Sequence, residues 1–375
     1  MNITLTCPYF DSTGYSSHAR GLFSGLSKIA NVKLNVQVPA GGERMINDQE
    51  LEAIKRKDEK EINIIVTNPT VWKLHLDAKI NCVFLIYEGS HIPEWIIENC
   101  LDERIHHIFV ASHHTYDAMV RTLHENHSIQ NPFKDGLQIP RGFSNLHNII
   151  LPKMSIINHG VDLNLFYPKS VNKNKFTFLG VKGWRNNEDR GGNQYLLKSY
   201  LEEFTSKDNV LLILKINACY GIPDLNKLIE QLKPKDKTDF APVQIITETI
   251  PYENLVNVYN SADIFVMPTR AEAFGIPGIE AMACSLPVIA TNFGGQLDYV
   301  NNENGWLIDY DLTEVSHDIF YEGIKWANPK IEHLKKLMRY AYEHQDEVKQ
   351  KGQKALETAK NFTWDITGKK IAEIL

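Results

Sequence analysis

Short apolar, β-branched runs alternate with helical stretches along most of the chain, and this alternation constrains the fold more than any other feature. It is typical of βα units on a parallel sheet. The runs are apolar throughout rather than alternately apolar and polar, which predicts strands buried on both faces by helices. In the first half we expect strands near Ile3 to Thr6, Lys33 to Val38, Ile62 to Thr67, Asn81 to Tyr87 and His107 to Ala111. In the second half we expect them near Phe176 to Leu179, Val210 to Ile216, Val243 to Thr247, Ile264 to Met267, Val288 to Ala290 and Gly305 to Ile308.

The length of the chain indicates two domains, because 375 residues are too many for one core of ordinary size. We expect α/β domains over residues 1–155 and 156–360, and a C-terminal helix over 361–375 that packs back on the first domain. Residues 126–151 are rich in Asn, Pro, Gly and Gln and are interpreted as a surface loop or lid. Ligands of such sheets bind beyond the carboxyl ends of the strands, so two sheets facing each other would form one cleft.

The bulk composition excludes several classes of protein. A formal net charge of -6 gives no overall basic field for nucleic acid. The five cysteines are odd in number and scattered, which indicates reduced thiols rather than disulfides or a zinc site. The N-terminus has no secretory leader and no run is long and apolar enough to span a membrane. We therefore expect a cytoplasmic protein, either free or peripheral to the inner face of a membrane.

The segment from Asp263 to Ala290 reads as a buried strand, a loop, a helix and a second buried strand. Pro277 suits the first turn of that helix, and Gly275 before it lets a ligand approach the backbone. The unpaired N–H groups at a helix start and the helix dipole favour a diphosphate there. Glu272 and Glu280 could both accept from the hydroxyls of a sugar, with Glu280 expected in the first turn. Acidic residues near a helix start are also favoured by the dipole alone, so a purely structural role stays open.

Glu272 and Glu280 are separated by seven residues, and Ala281-Met282-Ala283 and Pro287-Val288-Ile289 follow them. This pattern resembles the donor-binding motif of the family 4 retaining glycosyltransferases, whose GT-B fold has two Rossmann-like domains facing across a cleft. The similarity covers about residues 155–310 and is faint in the first half. Further similar segments are Asn158 to Asp162, Phe166 to Pro168, Tyr252 to Val266, Phe293 to Gly295, Gly305 to Leu307 and Phe362 to Asp365.

The resemblance implies a nucleotide-sugar donor bound by the second domain and an acceptor bound by the first. Glu280 would hold the ribose hydroxyls and Glu272, a catalytic candidate, a hydroxyl of the transferred sugar. The other implied contacts are backbone N–H groups around Phe274, Gly275 and Ile276 for the diphosphate or sugar, and Thr249 and Ile250 for the nucleobase. The donor would be a UDP- or GDP-sugar acting as substrate, with no cofactor and no metal.

The loop after the strand at Phe176 departs from the family pattern. It resembles a loop that normally ends in Arg-Lys-Gly and supplies two cations to the diphosphate. Arg190 matches the arginine and is a catalytic candidate, but Gly191 stands where lysine is usual. Three residues could then supply the second cation, namely Lys182, Arg185 and Lys215. If none serves, the protein would be a slow or inactive nucleotide-sugar-binding relative.

Three features of the first half are further candidates. Gly14, in the segment Phe10 to His18, resembles the family's glycine loop facing the diphosphate, and His18 is more typical of a helix surface or cap than of a catalyst. Glu88 follows a strongly apolar strand and is a catalytic candidate, either orienting a hydroxyl of the acceptor or donor sugar or capping a helix. Ser112 and His113 follow the next strand and have lower priority.

By resemblance the reaction retains anomeric configuration, and the leaving phosphate helps to deprotonate the acceptor hydroxyl. The acceptor would be a glycan, a lipid-linked molecule or a small molecule. A metal-dependent transferase is the first rival, since Asp309-Tyr310-Asp311 spells Asp-x-Asp, but a turn is expected there. A sugar-nucleotide epimerase or a phosphorylase on the same fold and an inactive binding relative are the remaining rivals.

Overall fold

The computed structural model describes residues 1–11, 13–37, 47–127, 137–139, 149–151, 153–183, 189–217, 221, 224–315, 321 and 323–375. Packing divides the chain into two units. The first unit comprises Met1–Gly160, Glu314–Lys325 and Trp364–Leu375, and the second comprises Val161–Thr313 and Trp326–Thr363. The chain therefore passes from one unit to the other four times. Among the described residues, no helix combines the length and the apolar character needed to cross a membrane.

The strands are β1 (Asn2–Pro8), β2 (Asn31–Gln37), β3 (Ile62–Ile65), β4 (Ile80–Leu85), β5 (Ile105–Val110), β6 (Leu137–Ile139), β7 (Ile149–Leu151), β8 (Lys153–Ile156), β9 (Phe176–Gly183), β10 (Val210–Asn217), β11 (Val243–Ile246), β12 (Ile264–Met267), β13 (Val288–Thr291), β14 (Gly305–Ile308), β15 (Tyr310–Glu314) and β16 (Lys325–Pro329). The α-helices are α1 (Gly14–Leu26), α2 (Asp48–Lys55), α3 (Glu94–Cys100), α4 (His113–His127), α5 (Asn193–Glu203), α6 (Leu225–Leu232), α7 (Leu255–Asn260), α8 (Ile276–Ala283), α9 (Ile331–Glu343), α10 (Gln345–Ala359) and α11 (Trp364–Ile374). Each strand predicted from an apolar run is present, which confirms the α/β class.

The first unit is built on a parallel six-stranded sheet in the order β2-β1-β3-β4-β5-β8. Its central strands are apolar on both faces because helices cover both, as the residues of β4 from Cys82 to Leu85 show by being fully buried. In the segment expected to be a loop, β6 and β7 form a short antiparallel pair. The rest of residues 128–148 lies outside the described residues.

Helix α11 packs on α1 within the first unit through a close approach of small residues. A Cβ added at Gly21 would overlap the indole ring of Trp364, and one at Gly25 would overlap the Trp364 carbonyl. Gly368 faces Gly25, where an added Cβ would lie 2.9 Å from the Gly25 carbonyl carbon. Lys28 and Asp365 form an ion pair of 2.6 Å at the edge of this contact. Glycines at the crossing thus allow the two helix backbones to touch.

The second unit is built on a parallel six-stranded sheet in the order β11-β10-β9-β12-β13-β14. Numbered within the sheet this order is 3-2-1-4-5-6, the Rossmann order, whereas the first sheet follows the flavodoxin-like order 2-1-3-4-5. Strand β9 pairs with β10 on one side and with β12 on the other, so the strand order reverses between β9 and β12. Ligands of open α/β sheets bind at this switch point.

Strands β15 and β16 form a two-stranded sheet that the sequence did not indicate. The turn expected at Asp309 to Asp311 is wrong, because Asp311 lies within β15. The ring of Tyr310 packs on Phe293, with centroids 5.4 Å apart, and this apolar contact favours an extended segment over a turn. The Asp309 carboxylate contacts the His333 ring nitrogen, and the Asp311 carboxylate forms an ion pair with Lys330.

Candidate functional site

The loops that follow β9 and β12 meet at the switch point of the second sheet. The backbone N–H of Arg270 donates to the carbonyl of Arg190 at 2.9 Å, which ties the two loops together. Gly192 has a φ of 81° and lies so close to the Pro268 carbonyl that a Cβ there would overlap it. This contact fixes the course of the first loop immediately before α5 begins.

Helix α8 begins at Ile276, directly after the second of these loops. Its N-cap is Gly275, whose φ of 89° is unfavourable for any residue with a side chain. The Tyr299 hydroxyl donates to the Gly275 carbonyl at 2.6 Å and would lie 2.8 Å from an added Cβ. The predicted glycine before the helix is present, and the helix begins one residue before the expected Pro277.

Glu280 is the fifth residue of α8, so its expected place in the first turn is wrong. The helix starts before Pro277, and the residue therefore falls in the second turn. Interaction with the helix dipole fades beyond the first turn, so the dipole alone does not explain an acidic residue here. The Glu280 side chain also lies in the interior, with the residue 3% exposed.

Two tyrosine hydroxyls donate to the Glu280 carboxylate. Tyr252 reaches Oε1 at 2.6 Å and Tyr259 reaches Oε2 at 2.7 Å. Burial and the nearby Glu280 charge raise the pKa of Tyr259 well above its usual value, so Tyr259 is a stable donor. Both tyrosines were outside the sequence-based candidates, because nothing in their spacing pairs them with Glu280. Together they fix the plane of the carboxylate.

Glu272 lies in the loop between β12 and α8 and forms an ion pair with Lys182, which is near the end of β9. The side chains are 14% and 18% exposed, respectively. The Glu272 carbonyl accepts from Gly295 N–H at 2.7 Å, in the Phe293 to Gly295 segment that the resemblance included. The structure thus brings two predicted site residues together at the switch point.

Gly191 lies against the stem of Lys182. A Cβ added at Gly191 would be 3.3 Å from Lys182 Cβ and 3.4 Å from Lys182 Cγ. A side chain at position 191 would therefore contact the stem of Lys182, which would have to shift by a few tenths of an ångström. Lys215, another candidate for the missing cation, is buried, and its ammonium donates to the Ile216 carbonyl at 2.7 Å. Burial lowers the pKa of Lys215. Arg185, the remaining candidate, lies outside the described residues.

The remaining predicted donor contacts of the second unit differ in exposure. Phe274 is buried and its ring packs on Tyr299 at 5.1 Å between centroids. Arg190 is half-buried. Thr249, which is exposed, and Ile250, which is half-buried, follow the edge strand β11.

Asp189 is a buried carboxyl that the sequence did not single out. Its Oδ2 accepts from Gln194 N–H at 2.5 Å at the start of α5, while Oδ1 has no hydrogen-bond partner within the described residues. Burial raises its pKa to about 6, although backbone hydrogen bonds from Gln194 and Gly192 and the charges of Arg270 and Lys182 act in the opposite direction.

The candidates of the first unit lie at the carboxyl edge of its sheet or behind it. Gly14 is the first residue of α1, is exposed, and has open space where a Cβ would be. The helix-surface or cap position expected for His18 is wrong, because this residue is fully buried. Its ring stacks on His159 at 3.9 Å between centroids and lies 5.8 Å from Trp364. Burial, followed by the His159 charge, lowers the pKa of His18 well below its usual value.

Glu88 follows β4 and is 6% exposed. Its Oε1 accepts from the Tyr321 hydroxyl at 2.7 Å. A helix-capping role is not supported, because the N-cap of α3 is Pro93 and no side chain caps it. Ser112 is buried and its Oγ accepts from Thr115 N–H at 3.3 Å at the start of α4, while His113 is exposed. In the part of the chain that the structure describes, no cluster of three or more His, Cys, Asp and Glu side chains could hold a metal ion.

Residues 223–355 match the family model of the glycosyl transferases group 1. Among curated relatives, a probable sucrose-phosphate synthase of Thermosipho melanesiensis is 30% identical over 157 residues, which are 41% of this chain and 36% of the relative. A D-inositol 3-phosphate glycosyltransferase of Mycolicibacterium smegmatis is 30% identical over 182 residues, 46% of this chain and 39% of the relative. The chain thus spans well under half the length of the curated relatives it matches.

Solved structures are similar over the whole chain. A sucrose-phosphate synthase from Thermosynechococcus elongatus has a TM-score of 0.67 at 15% identity, covering 100% of this chain and 98% of that one. Anabaena HepE in complex with UDP and glucose has a TM-score of 0.64 at 15% identity, covering 100% and 99%. These structural similarities show that the chain has the GT-B fold, and residues 223–355 of its second half resemble the glycosyl transferases group 1.

Proposed function

We propose that the protein is a retaining glycosyltransferase that moves a sugar from a nucleotide-sugar donor to a hydroxyl acceptor without a metal ion or cofactor. The observation that carries this proposal is the Glu272–Lys182 pair at the switch point, beside the αL glycine that opens α8. It joins an acceptor for sugar hydroxyls, a cation and a helix start, the three elements that a sugar diphosphate requires. The family match over residues 223–355 includes this helix.

The donor would bind along the carboxyl edge of the second sheet. Glu280 would accept from the ribose hydroxyls, in an orientation set by Tyr252 and Tyr259. Backbone N–H groups from Phe274 to Ile276 would meet the diphosphate or the sugar, and Thr249 and Ile250 would contact the base. HepE, with the same fold, was solved with UDP and glucose, which makes UDP-glucose the first donor to test.

Lys182 would supply the second cation of the diphosphate site in place of the lysine missing at Gly191. Its stem lies beside Gly191, and its ammonium pairs with Glu272. A bound donor would offer a sugar hydroxyl to Glu272 and a phosphate to Lys182, so each partner of the pair would gain a new partner. Arg190 would be the other cation. Fixed cations stabilise the negative charge that develops on the leaving diphosphate.

In the proposed reaction the bond between the anomeric carbon and the phosphate oxygen breaks. The acceptor oxygen forms its bond to the anomeric carbon on the same face, and its proton passes to the leaving phosphate. No protein base is needed for this route. The acceptor would be a glycan, a lipid-linked molecule or a small molecule that carries a hydroxyl group.

Donor binding can be tested by measuring the melting temperature with UDP-, GDP- and ADP-glucose, since only a ligand of the folded protein raises it. We expect stabilisation by a nucleotide sugar in the wild type and not in Glu272→Gln. Glu253→Gln serves as control, because Glu253 is an exposed carboxylate in the same unit. If no nucleotide sugar raises the melting temperature, the proposal fails.

Turnover is tested by nucleotide release in the presence of EDTA and by NMR assignment of the product anomer. Retention of configuration and activity in EDTA are expected. An inverted product would overturn the retaining mechanism, and loss of release in EDTA would overturn metal independence. Donor binding without nucleotide release would instead support the inactive relative that Gly191 suggested.

A further inference from the structure

Residues 314–325 belong to the first unit, although they follow the second sheet in the chain. Within this segment, Tyr321 contacts the candidate residue Glu88. Its hydroxyl donates to Glu88 Oε1 at 2.7 Å, and its ring stacks on Tyr87 with centroids 5.7 Å apart and planes 25° apart. A tyrosine distant in sequence thus defines the position of a carboxylate at the carboxyl end of β4.

The segment around Tyr321 is fixed to the loop after β4 by the main chain. Ser90 N–H donates to the Lys325 carbonyl at 3.2 Å, and Lys325 N–H donates to Ser90 Oγ at 3.0 Å. Ile324 N–H closes a turn on the Tyr321 carbonyl at 2.9 Å. The Ile324 side chain lies so close to Gly89 that a Cβ there would overlap it. These bonds hold Tyr321 in register with Glu88.

Helix α4 holds the same loop from its other side. Thr115 Oγ1 donates to the Tyr87 carbonyl at 2.6 Å, and His114 Nε2 lies 3.1 Å from the Glu88 carbonyl. Arg121 donates to the Ser90 carbonyl at 2.5 Å. The backbone at Glu88 is therefore anchored independently of Tyr321, whereas the tyrosine hydroxyl bonds the carboxylate itself.

A carboxylate that is 6% exposed needs hydrogen-bond donors, because burial of an unpaired charge is costly. Hydrogen bonds to a charged group are shorter and stronger than those between neutral groups, and they constrain its orientation. An ionised carboxylate only accepts hydrogen bonds, so its natural ligand is a hydroxyl or N–H donor. The carboxyl edge of a parallel sheet is where such a ligand binds.

We propose that Tyr321 is a positioning residue for acceptor recognition, holding Glu88 so that its carboxylate receives a hydrogen bond from the acceptor hydroxyl. This inference rests on the proposed glycosyltransferase function and extends it to the other substrate. It assigns part of the acceptor site to a segment encoded after the donor motif.

The test compares Tyr321→Phe with the wild type, using UDP-glucose as donor and glycerol or octyl glucoside as acceptors. We expect kcat/KM for the acceptor to fall about tenfold or more, as for loss of a hydrogen bond to a charged group. The Kd for UDP-glucose and the rate of donor hydrolysis by water should stay at wild-type values. The matched control is Tyr340→Phe, because Tyr340 makes the same bond to Glu347 at 2.7 Å on an exposed surface; it should change none of these quantities.

A double mutant distinguishes positioning from a structural role. In a Glu88→Gln background, Tyr321→Phe should have little further effect on the acceptor kcat/KM, because residues that act as one unit are non-additive. Equal loss of acceptor transfer and donor hydrolysis, or full additivity, would overturn the proposal for Tyr321. Wild-type turnover is measured first and tests the proposed function separately: if the wild type is active and Tyr321→Phe matches it, only the Tyr321 assignment fails.

Discussion

The two sheets of this protein have the same size and connection type, yet they equip their carboxyl edges differently. The second sheet uses a helix start, an αL glycine and an ion pair that lie at the ends of the neighbouring strands β9 and β12, at one switch point. The first sheet carries a buried carboxylate, Glu88, whose hydrogen bond comes from a residue 233 positions away. A diphosphate can be bound by backbone geometry, whereas recognition of a particular hydroxyl depends on placed side chains.

The two halves also differ in similarity to known proteins: residues 223–355 match a family model, whereas the resemblance in the first half is faint. Under the proposed function, the helix start of the second unit would bind a phosphate group, which nucleotide-sugar donors share. The first unit would recognise the acceptor, which differs from one transferase to another. The following variants test whether donor binding depends on the second unit and acceptor recognition on the first.

The largest effect is expected from Glu280→Gln. An amide cannot replace an anionic acceptor for the ribose and for two tyrosine hydroxyls, so donor affinity should fall about 100-fold, as for several hydrogen bonds to a charged group. The change should also lower the unfolding free energy by about 1–3 kcal/mol, because Tyr259 is buried against Glu280. Calorimetry with UDP-glucose and thermal unfolding measure the two effects.

Glu88→Gln in the first unit is the comparison and should leave donor affinity unchanged. A loss of donor affinity of similar size in Glu88→Gln would contradict the assignment of donor binding to the second unit.

A loss of donor affinity or turnover of about ten- to 100-fold is expected from Lys182→Ala. Gly191→Lys added to this variant should restore part of the loss, because it returns an ammonium group beside position 182 and the Lys182 Cγ, 3.4 Å from an added Cβ, is gone. In the wild-type background Gly191→Lys should bring no gain, since Lys182 already supplies the cation. Steady-state kinetics measure these effects. Lys198→Ala is the control, because Lys198 is a partly exposed lysine that is paired with Glu202. Failure of the double variant to recover any activity would count against Lys182 as the replacement cation.

Replacement of the two predicted loop glycines by alanine should separate effects on stability from effects on donor affinity. Gly275→Ala places a side chain at a φ of 89° and near the Tyr299 hydroxyl, so about 1–3 kcal/mol of stability should be lost. Gly14→Ala has open space, so stability should stay within about 0.5 kcal/mol of the wild type, and only a few-fold loss of donor affinity is expected. Chemical denaturation and calorimetry provide the readouts. Equal destabilisation by both changes would show that Gly14 is also required by the fold.

The smallest effects concern pH and have opposite signs in the two units. His18 has a folded pKa well below its usual value of 6.5, so the native state binds fewer protons and stability is lost as pH falls below that value. Asp189 has a folded pKa of about 6 against a usual 3.8, so the native state binds more protons and stability is gained as pH falls between these values. As the pH is lowered from about 7.5 to about 4.5, the melting temperature of His18→Phe should therefore rise relative to that of the wild type. The melting temperature of Asp189→Asn should fall relative to that of the wild type over the same range. The same sign for both variants would refute one of the two assignments.

The strands of both sheets could be predicted because strands buried on two faces are apolar runs, and the donor motif because its residues lie within one strand-loop-helix unit. Glu280 was identified, but its tyrosine partners were not, since Tyr259 in α7 and Tyr252 before α7 share no sequence pattern with Glu280 in α8. The β15–β16 pair was missed because polar residues such as Asp311 and Thr313 give it no apolar run. Tyr321 could not be paired with Glu88, and the stacking of His18 on His159 was equally invisible, because both contacts join segments far apart in the chain.

The four passages of the chain between the units have a consequence for engineering. A chimaera spliced at Gly160 would take its first 160 residues from one parent, but Tyr321 and Trp364 from the other. Its α1 would then meet a foreign partner at Gly21 and Gly25, and Glu88 would meet a foreign residue in place of Tyr321. Exchange of the whole first unit between relatives therefore requires a graft of three separate pieces of gene, of which the middle one is only a dozen codons long.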